Sequence, residues 1–232
     1  MNNELWKKID DRIYDTFAKP NEKFKKELIS SIAIHILNPD KIIKSLGKKN
    51  WLIILSELFY EIKKIMNYYD VDYISNHSDI IYGRFETPTK EKIQKIFECA
   101  VNLNTFKWHF NKRIAKNIID VKLDKNELII DFGIGLVFSK ENYQQSSSQK
   151  NVNTLFKSES VDLAITLALL ANSKENSPIL FNELIVANFT KKYLKDNKNI
   201  VKDFETYKIK NKTIYGCSLI NVDYNEWIKR KL

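Results

Sequence analysis

IDVKLDKNELIIDF, residues 119–132, is the stretch on which the fold turns. Before it, apolar residues recur every three or four positions; within it they recur every two. Ile119, Val121 and Leu123 alternate with Asp120, Lys122 and Asp124. Leu128, Ile130 and Phe132 alternate with Glu127, Ile129 and Asp131. Period two marks a strand with one face on a core, and two such runs joined at Lys125-Asn126 read as a hairpin. In that register Leu123 faces Leu128, Val121 faces Ile130, and Asp120 faces Asp131.

Two carboxylates directly opposite on a sheet repel, so solvent, a lysine or a divalent cation is expected to offset them. Lys122 lies on the same hairpin face. The pattern therefore nominates Asp120, Lys122 and Asp131 as a catalytic set. Asp120 and Asp131 would hold Mg2+, and Lys122 would steady a phosphate. The order departs from the common acid-then-acid-x-lysine arrangement of metal nucleases, since Asp131 is followed by Phe132-Gly133. An upstream acid, Asp79 or Glu86, would complete it. The plain alternative is a solvated hairpin face with its carboxylates apart in water. Asp131-Phe-Gly-Ile-Gly135 reads as a strand bend rather than a cofactor loop, because no helix opens at those glycines. His77-Ser78-Asp79 holds residue types of a hydrolytic triad, but adjacent residues do not point at one another.

Toward the N-terminus the helical period dominates. Leu5, Trp6, Ile9, Ile13, Tyr14 and Phe17 make one face over residues 4–18. A second helix is expected over 22–37, on the stripe Phe24, Leu28, Ile29, Ile32 and Ile36, stopped by Asn38-Pro39. A short helix over 40–46 closes on Gly47, and Asn50 caps a long one to about 69. Its opening, Trp51-Leu-Ile-Ile-Leu55, is apolar on all sides, which suits central burial or a partner chain. Residues 1–69 thus read as a helical N-terminal subdomain, and 70–232 as an α+β domain. In that second part, 79–85 makes a short strand. Thr87-Pro88 opens a helix to about 117 that breaks near 102–104.

Beyond the hairpin, strand signal continues through 136–138, and the polar stretch 139–157 reads as a mobile loop. Helices follow over 161–171 and 178–195, then a hairpin at 207–209 and 213–222, and a short helix at 225–232. The fold class is α+β: a helical N-terminal part, then a small, mainly antiparallel sheet packed with helices.

The net charge of +9 is uneven. Residues 191–232 hold eleven Lys/Arg against five Asp/Glu, and residues 101–120 hold four against one. Clustered positive charge is the footprint of a phosphate-binding surface. The candidate contacts are Lys107, Lys112, Arg113 and Lys116 on a helix with Trp108, and Lys191, Lys192, Lys208, Lys210 and Lys212 in the C-terminal part. Only four of the 38 bases are arginine, so contact would fall on the backbone of DNA or RNA with little base readout.

No apolar run reaches the ~18 residues of a membrane span, and the N-terminus carries no signal pattern. Two distant cysteines, Cys99 and Cys217, make no disulfide framework. Three scattered histidines give no zinc spacing. An intracellular, reducing, cytoplasmic setting is expected, without a membrane partner. The functional expectation is a nucleic-acid-associated protein, either a divalent-metal-dependent nuclease or a subunit of a nucleic-acid-processing complex. The alternative is a non-catalytic interaction subunit that docks an apolar helix, 51–60 or 161–171, on a protein partner.

Overall fold

Residues 24–36 cross the middle of a seven-stranded sheet. A computed structural model describes residues 24–87, 89–117, 130–144, 158–172, 177–197, 203–209 and 211–223. Its elements run β1 (Phe24–Ile36), α1 (Pro39–Leu46), α2 (Lys48–Tyr68), β2 (Tyr73–His77), β3 (Ile80–Glu86), α3 (Lys90–Asn117) and β4 (Phe132–Gln144). Then come α4 (Glu159–Leu170), β5 (Ile179–Asn182), α5 (Glu183–Ala187), α6 (Lys191–Asp196), β6 (Glu205–Ile209) and β7 (Lys212–Cys217). The strand order is β2-β3-β1-β4-β5-β7-β6. Every pairing is antiparallel except β4 with β5. That parallel pair is joined through α4, the crossover that parallel strands require.

The mixed α/β architecture matches the sequence expectation, but the helix expected over 22–37 is the central strand. Ile32, Ile34 and Ile36 point into the larger core cluster, while Ala33 belongs to the smaller one on the opposite face. Both faces are buried, so the alternation of in and out that betrays a strand is lost. β1 pairs with β3 and β4, and the larger cluster joins its residues to those of α2, α3 and β4. One core therefore runs across the expected division at residue 69. The run 178–195 likewise holds a buried strand, β5, before its two short helices. The mobile loop expected over 139–157 is corrected at its start, because residues 139–144 pair with β1 as the end of β4. Its remainder 145–157, residues 4–18, the helix at 225–232 and all of the first hairpin up to residue 129 lie outside the described residues.

The break expected in α3 near 102–104 is absent because its polar residues bond outward. Asn102 Nδ2 donates to the Tyr69 hydroxyl at 2.5 Å, and Asn104 Nδ2 donates to the Leu219 carbonyl at 2.8 Å. Asn221 Nδ2 donates to Asn102 Oδ1, and Asn221 N–H to Thr105 Oγ1, both at 2.8 Å. These bonds tie the chain after β7 onto an unbroken helix. Helix α2 sets Trp51 and Ile54 in the core and leaves Leu52 and Ile53 exposed.

The two faces of the sheet are packed differently. α1, α2 and α3 cover one face with Ile, Leu and Phe. Among the described residues the other is crossed by α4 alone, where Ala33 of β1 and Gly133 and Gly135 of β4 sit against Ala164, Ala168 and Ala171. A Cβ at Gly135 would sit 2.0 Å from the Ala164 carbonyl oxygen and 2.6 Å from the Ala168 nitrogen. The helix start is fixed by Glu141 of β4. Its carboxylate accepts from Ser160 N–H (2.6 Å), Ser158 Oγ (2.8 Å) and Ser139 Oγ (3.2 Å), and Ser160 Oγ reaches Ser31 Oγ of β1 at 2.8 Å. Burial pushes the Glu141 carboxyl up, but these hydrogen bonds outweigh it and hold it below its ordinary value.

Two outcomes follow for stability. Gly135→Ala should cost about 1–3 kcal/mol or more through overpacking, read as a lowered urea midpoint. Glu141→Gln should cost about 1 kcal/mol at pH 7, as loss of a helix cap does. Because the folded carboxyl titrates below its unfolded value near ~4.3, that stabilisation is present above the unfolded value. It is lost as the pH falls through the folded value, so the parent and variant melting curves should converge in acid.

Candidate functional site

The C-terminal end of β1 gathers polar groups from both neighbouring strands. Ile36 N–H donates to the Asp79 carbonyl at 2.9 Å, and Leu37 N–H donates to the Asp131 carbonyl at 2.8 Å. Asp79 sits in the β2–β3 turn beside Ser78, whose φ of 53° makes the turn tight. Asp131 immediately precedes β4. The last side chain of β1 on the α4 face is His35, flanked across the sheet by Ile80 and Gly133. Its Nε2 lies 3.2 Å from Asp79 Oδ2, with 14% and 24% of the two side chains exposed. His35 Nδ1 is buried and has no hydrogen-bond partner among the described residues.

Register places the rest of this surface. Ser31 bonds to α4, so the residues paired with Ser31 and Ala33 share the α4 face: Arg84 and Tyr82 of β3, then Tyr73 and Ser75 of β2. A helix is about 10 Å wide, whereas seven strands span about 29 Å. Among the described residues, no helix but α4 crosses this face. The β1–β3–β2 wing thus forms an open shelf beside it, with the His35–Asp79 pair at one end and Arg84 toward the other. An imidazole, a carboxylate, a phenol and a guanidinium on one open surface can bind an anionic, ring-bearing ligand and move a proton.

Behind the shelf the frame is held by α3. Lys107 is 1% exposed, and its Nζ donates to Asp131 Oδ1 at 2.8 Å and to the Phe132 carbonyl at 3.2 Å. Four residues on, Asn111 makes a two-way clamp on Ile130, 2.7 Å in each direction. Burial pulls the Lys107 ammonium below its ordinary value, and Asp131 only partly restores it.

The expected site residues are distributed as follows. Asp120 and Lys122 lie outside the described residues. Asp131 is engaged by Lys107. Lys107 cannot reach a polyanion, because its ammonium is buried. Lys112 is exposed, and Arg113 lies 3.4 Å from Glu57 and 3.8 Å from Glu61 of α2. The side chain of Lys116 and the whole of Lys210 are outside the described residues. Lys191 and Lys192 are exposed at the start of α6. Lys208 bonds to Thr213 across the hairpin at 2.7 Å, whereas Lys212 pairs with Ile209 and so lies on the opposite face. Among the described candidates, Lys107 is buried and Lys208 and Lys212 lie on opposite faces of their hairpin. His35 carries no motif in the sequence that sets it apart from the other two scattered histidines. The only signal for it was a lone imidazole in the apolar run 30–37. Asp79 was nominated only as a completing acid. Both cysteines are buried.

No family model matches the chain. A uridylate cyclase of Treponema porcinum is 25% identical over 207 residues, covering 87% of this chain and 67% of that protein. The guanylyl cyclase Cya2 superposes with a TM-score of 0.65 at 12% identity, covering 87% of this chain and 97% of that one. The adenylyl cyclase CyaB from P. aeruginosa gives 0.61 at 12% identity, covering 83% and 94%. A bacterial light-regulated adenylyl cyclase gives 0.59 at 12% identity, covering 99% and 68%. The fold is that of nucleotide cyclase domains. These likenesses overturn the expectation of a nuclease, of a DNA- or RNA-associated protein and of a non-catalytic docking subunit. They point to an enzyme of another kind, and among the described bases the buried Lys107 is withheld from any polyanion. Among the described residues, no helix is long and apolar enough to cross a membrane.

Lys107→Met leaves Asp131 half-buried without its cation and should cost about 3–5 kcal/mol in urea denaturation. Adding Asp131→Asn should recover much of it, a coupling of at least ~1 kcal/mol in the double-mutant cycle. Because folded Lys107 titrates below its unfolded value near ~10.4, the unfolded chain holds more protons between the two. The parent should therefore gain stability as the pH rises through that window, and Lys107→Met should lose this gain.

Proposed function

We propose that the chain is a nucleotide cyclase that converts a nucleoside triphosphate, UTP first among them, into its 3′,5′-cyclic monophosphate and pyrophosphate. The observation that carries this reading is the sequence relationship to a uridylate cyclase along 87% of the chain, on a fold shared with cyclases of other nucleotides. In the reaction the 3′-oxygen attacks the α-phosphorus. A new P–O bond forms, the bond to the β-phosphate bridging oxygen breaks, and the 3′-hydroxyl proton passes to a base.

The shelf beside β1 is the surface we assign to this chemistry. Asp79, held by His35, is the group positioned to accept the hydroxyl proton. Tyr82 offers a ring edge for the base or sugar, and Arg84 a planar fork for phosphate oxygens. A triphosphate ordinarily travels with a divalent cation bound by its phosphates and one or two carboxylates. The described residues fit such an ion poorly. Asp131, expected to hold Mg2+, is tied to Lys107, and Asp79 is tied to His35. No group of three His, Cys, Asp or Glu is placed to hold a metal among the described residues.

The test is incubation of the full chain with each of the four nucleoside triphosphates, separating products by chromatography and mass spectrometry. Cyclic UMP and pyrophosphate in equal amounts are expected. Asp79→Asn should lower the rate by about 10²-fold with the fold intact. Absence of a cyclic product from all four substrates would sink the reading.

A further inference from the structure

We infer that the end of β1 does not hold a divalent cation through its own side chains, because His35 occupies Asp79 and cannot itself become a ligand. The inference bears on the same surface as the cyclase reading and rests on it only for the expectation that a cation is needed there.

A hard cation such as Mg2+ takes oxygen ligands in near-octahedral array. Two carboxylates flank the end of β1. Asp131 Oδ1 receives the buried Lys107 ammonium at 2.8 Å, and Asp79 Oδ2 faces His35 Nε2 at 3.2 Å. At that separation the imidazole satisfies Asp79 with its Nε2–H. A cation entering between them would meet an N–H directed at it.

A softer cation such as Zn2+ accepts imidazole, but Nε2 must then surrender its hydrogen and Nδ1 must carry one. Ligating histidines donate that second N–H to a carboxylate, a carbonyl or water, which fixes the ring and raises its basicity. Here Nδ1 is buried and has no partner among the described residues. Next to His35 across the sheet stands Gly133, without a side chain to accept the bond. A buried N–H without an acceptor is disfavoured, so the tautomer that ligation requires is the one this pocket penalises. The tautomer with hydrogen on Nε2 leaves a bare Nδ1 lone pair inside and gives Asp79 its donor. The shelf is thereby built to present a carboxylate with a settled hydrogen-bond partner. A cation that accompanies a nucleotide is left to the phosphate oxygens.

The experiment uses the full chain without nucleotide. Mn2+ is titrated in, while the free-ion paramagnetic resonance signal and the 1H–15N spectrum of the imidazoles are followed. The His35 ring is expected to show the Nε2–H pattern and to remain sharp at one equivalent of Mn2+. His35→Asp places two carboxylates side by side, an arrangement that a divalent cation offsets. That variant should gain one Mn2+ site at least tenfold tighter than any in the parent, and adding Asp79→Asn should abolish it. Selective broadening of His35 by one equivalent of Mn2+, or no gain in a folded His35→Asp variant, overturns the inference. If His35→Asp does not fold in a thermal melt, the parent spectrum alone decides. Turnover is measured separately: a chain with no cyclic product and a sharp His35 keeps this inference and loses the cyclase reading. A chain with product and a broadened His35 does the reverse.

Discussion

The ammonium of Lys107, carried inside the molecule by α3, fixes where β4 begins and where β1 ends. It bonds to the Asp131 carboxylate and the Phe132 carbonyl, and lies 5.2 Å from the centre of the Phe132 ring. Asn111, one turn further along, seals Ile130 from both sides. Asp131 passes the constraint on, since its carbonyl takes the Leu37 N–H while Asp79 takes that of Ile36. A buried pair of this kind adds little net stability, because desolvation consumes most of the attraction. Its effect lies in specificity: a helix on one face of the sheet sets the ends of the strands that carry His35 and Asp79 on the other.

That division of labour follows from residue size. Large aliphatic and aromatic side chains fill the α1–α3 side, with Phe97 edge-on to Phe181 and Phe189. The α4 side sets Ala, Gly and Ser beside Val137, Leu167, Leu180 and Ile214, and the small residues bring one helix close. The strands beyond it keep an exposed face. Strand order adds the rest, because β1 lies between β3 and β4, neither of which is adjacent to it in the chain. Groups distant in sequence therefore meet at the end of β1.

The sequence made the mixed α/β class legible, together with α1, α3, α4 and the final hairpin, since each carries a caps-and-period signal on a half-buried element. It concealed β1, whose apolar residues at 28, 29, 32 and 36 imitate a helical stripe. Ser30, Ser31 and Ala33 are as buried as the isoleucines, so hydropathy could not mark two faces. Lys107 was counted with the surface bases, although it stands between Phe106 and Trp108 in a run that also holds Phe110. Charge totals carry no information on direction, and the opposed faces of Lys208 and Lys212 show how a local excess disperses on folding. The pairing of His35 with Asp79 needs the β1–β3 register, which no local pattern encodes.

The shelf at the end of β1 is the surface proposed to hold the reacting nucleotide. A crystal structure of the chain with a UTP analogue carrying a methylene bridge between the α- and β-phosphorus atoms tests that most directly. The expected result is the ribose 3′-hydroxyl within hydrogen-bond distance of the Asp79 carboxylate, with the phosphates running along β3 toward Arg84. A nucleotide bound instead on the α1–α3 side, or on the β6–β7 wing away from His35, would contradict it.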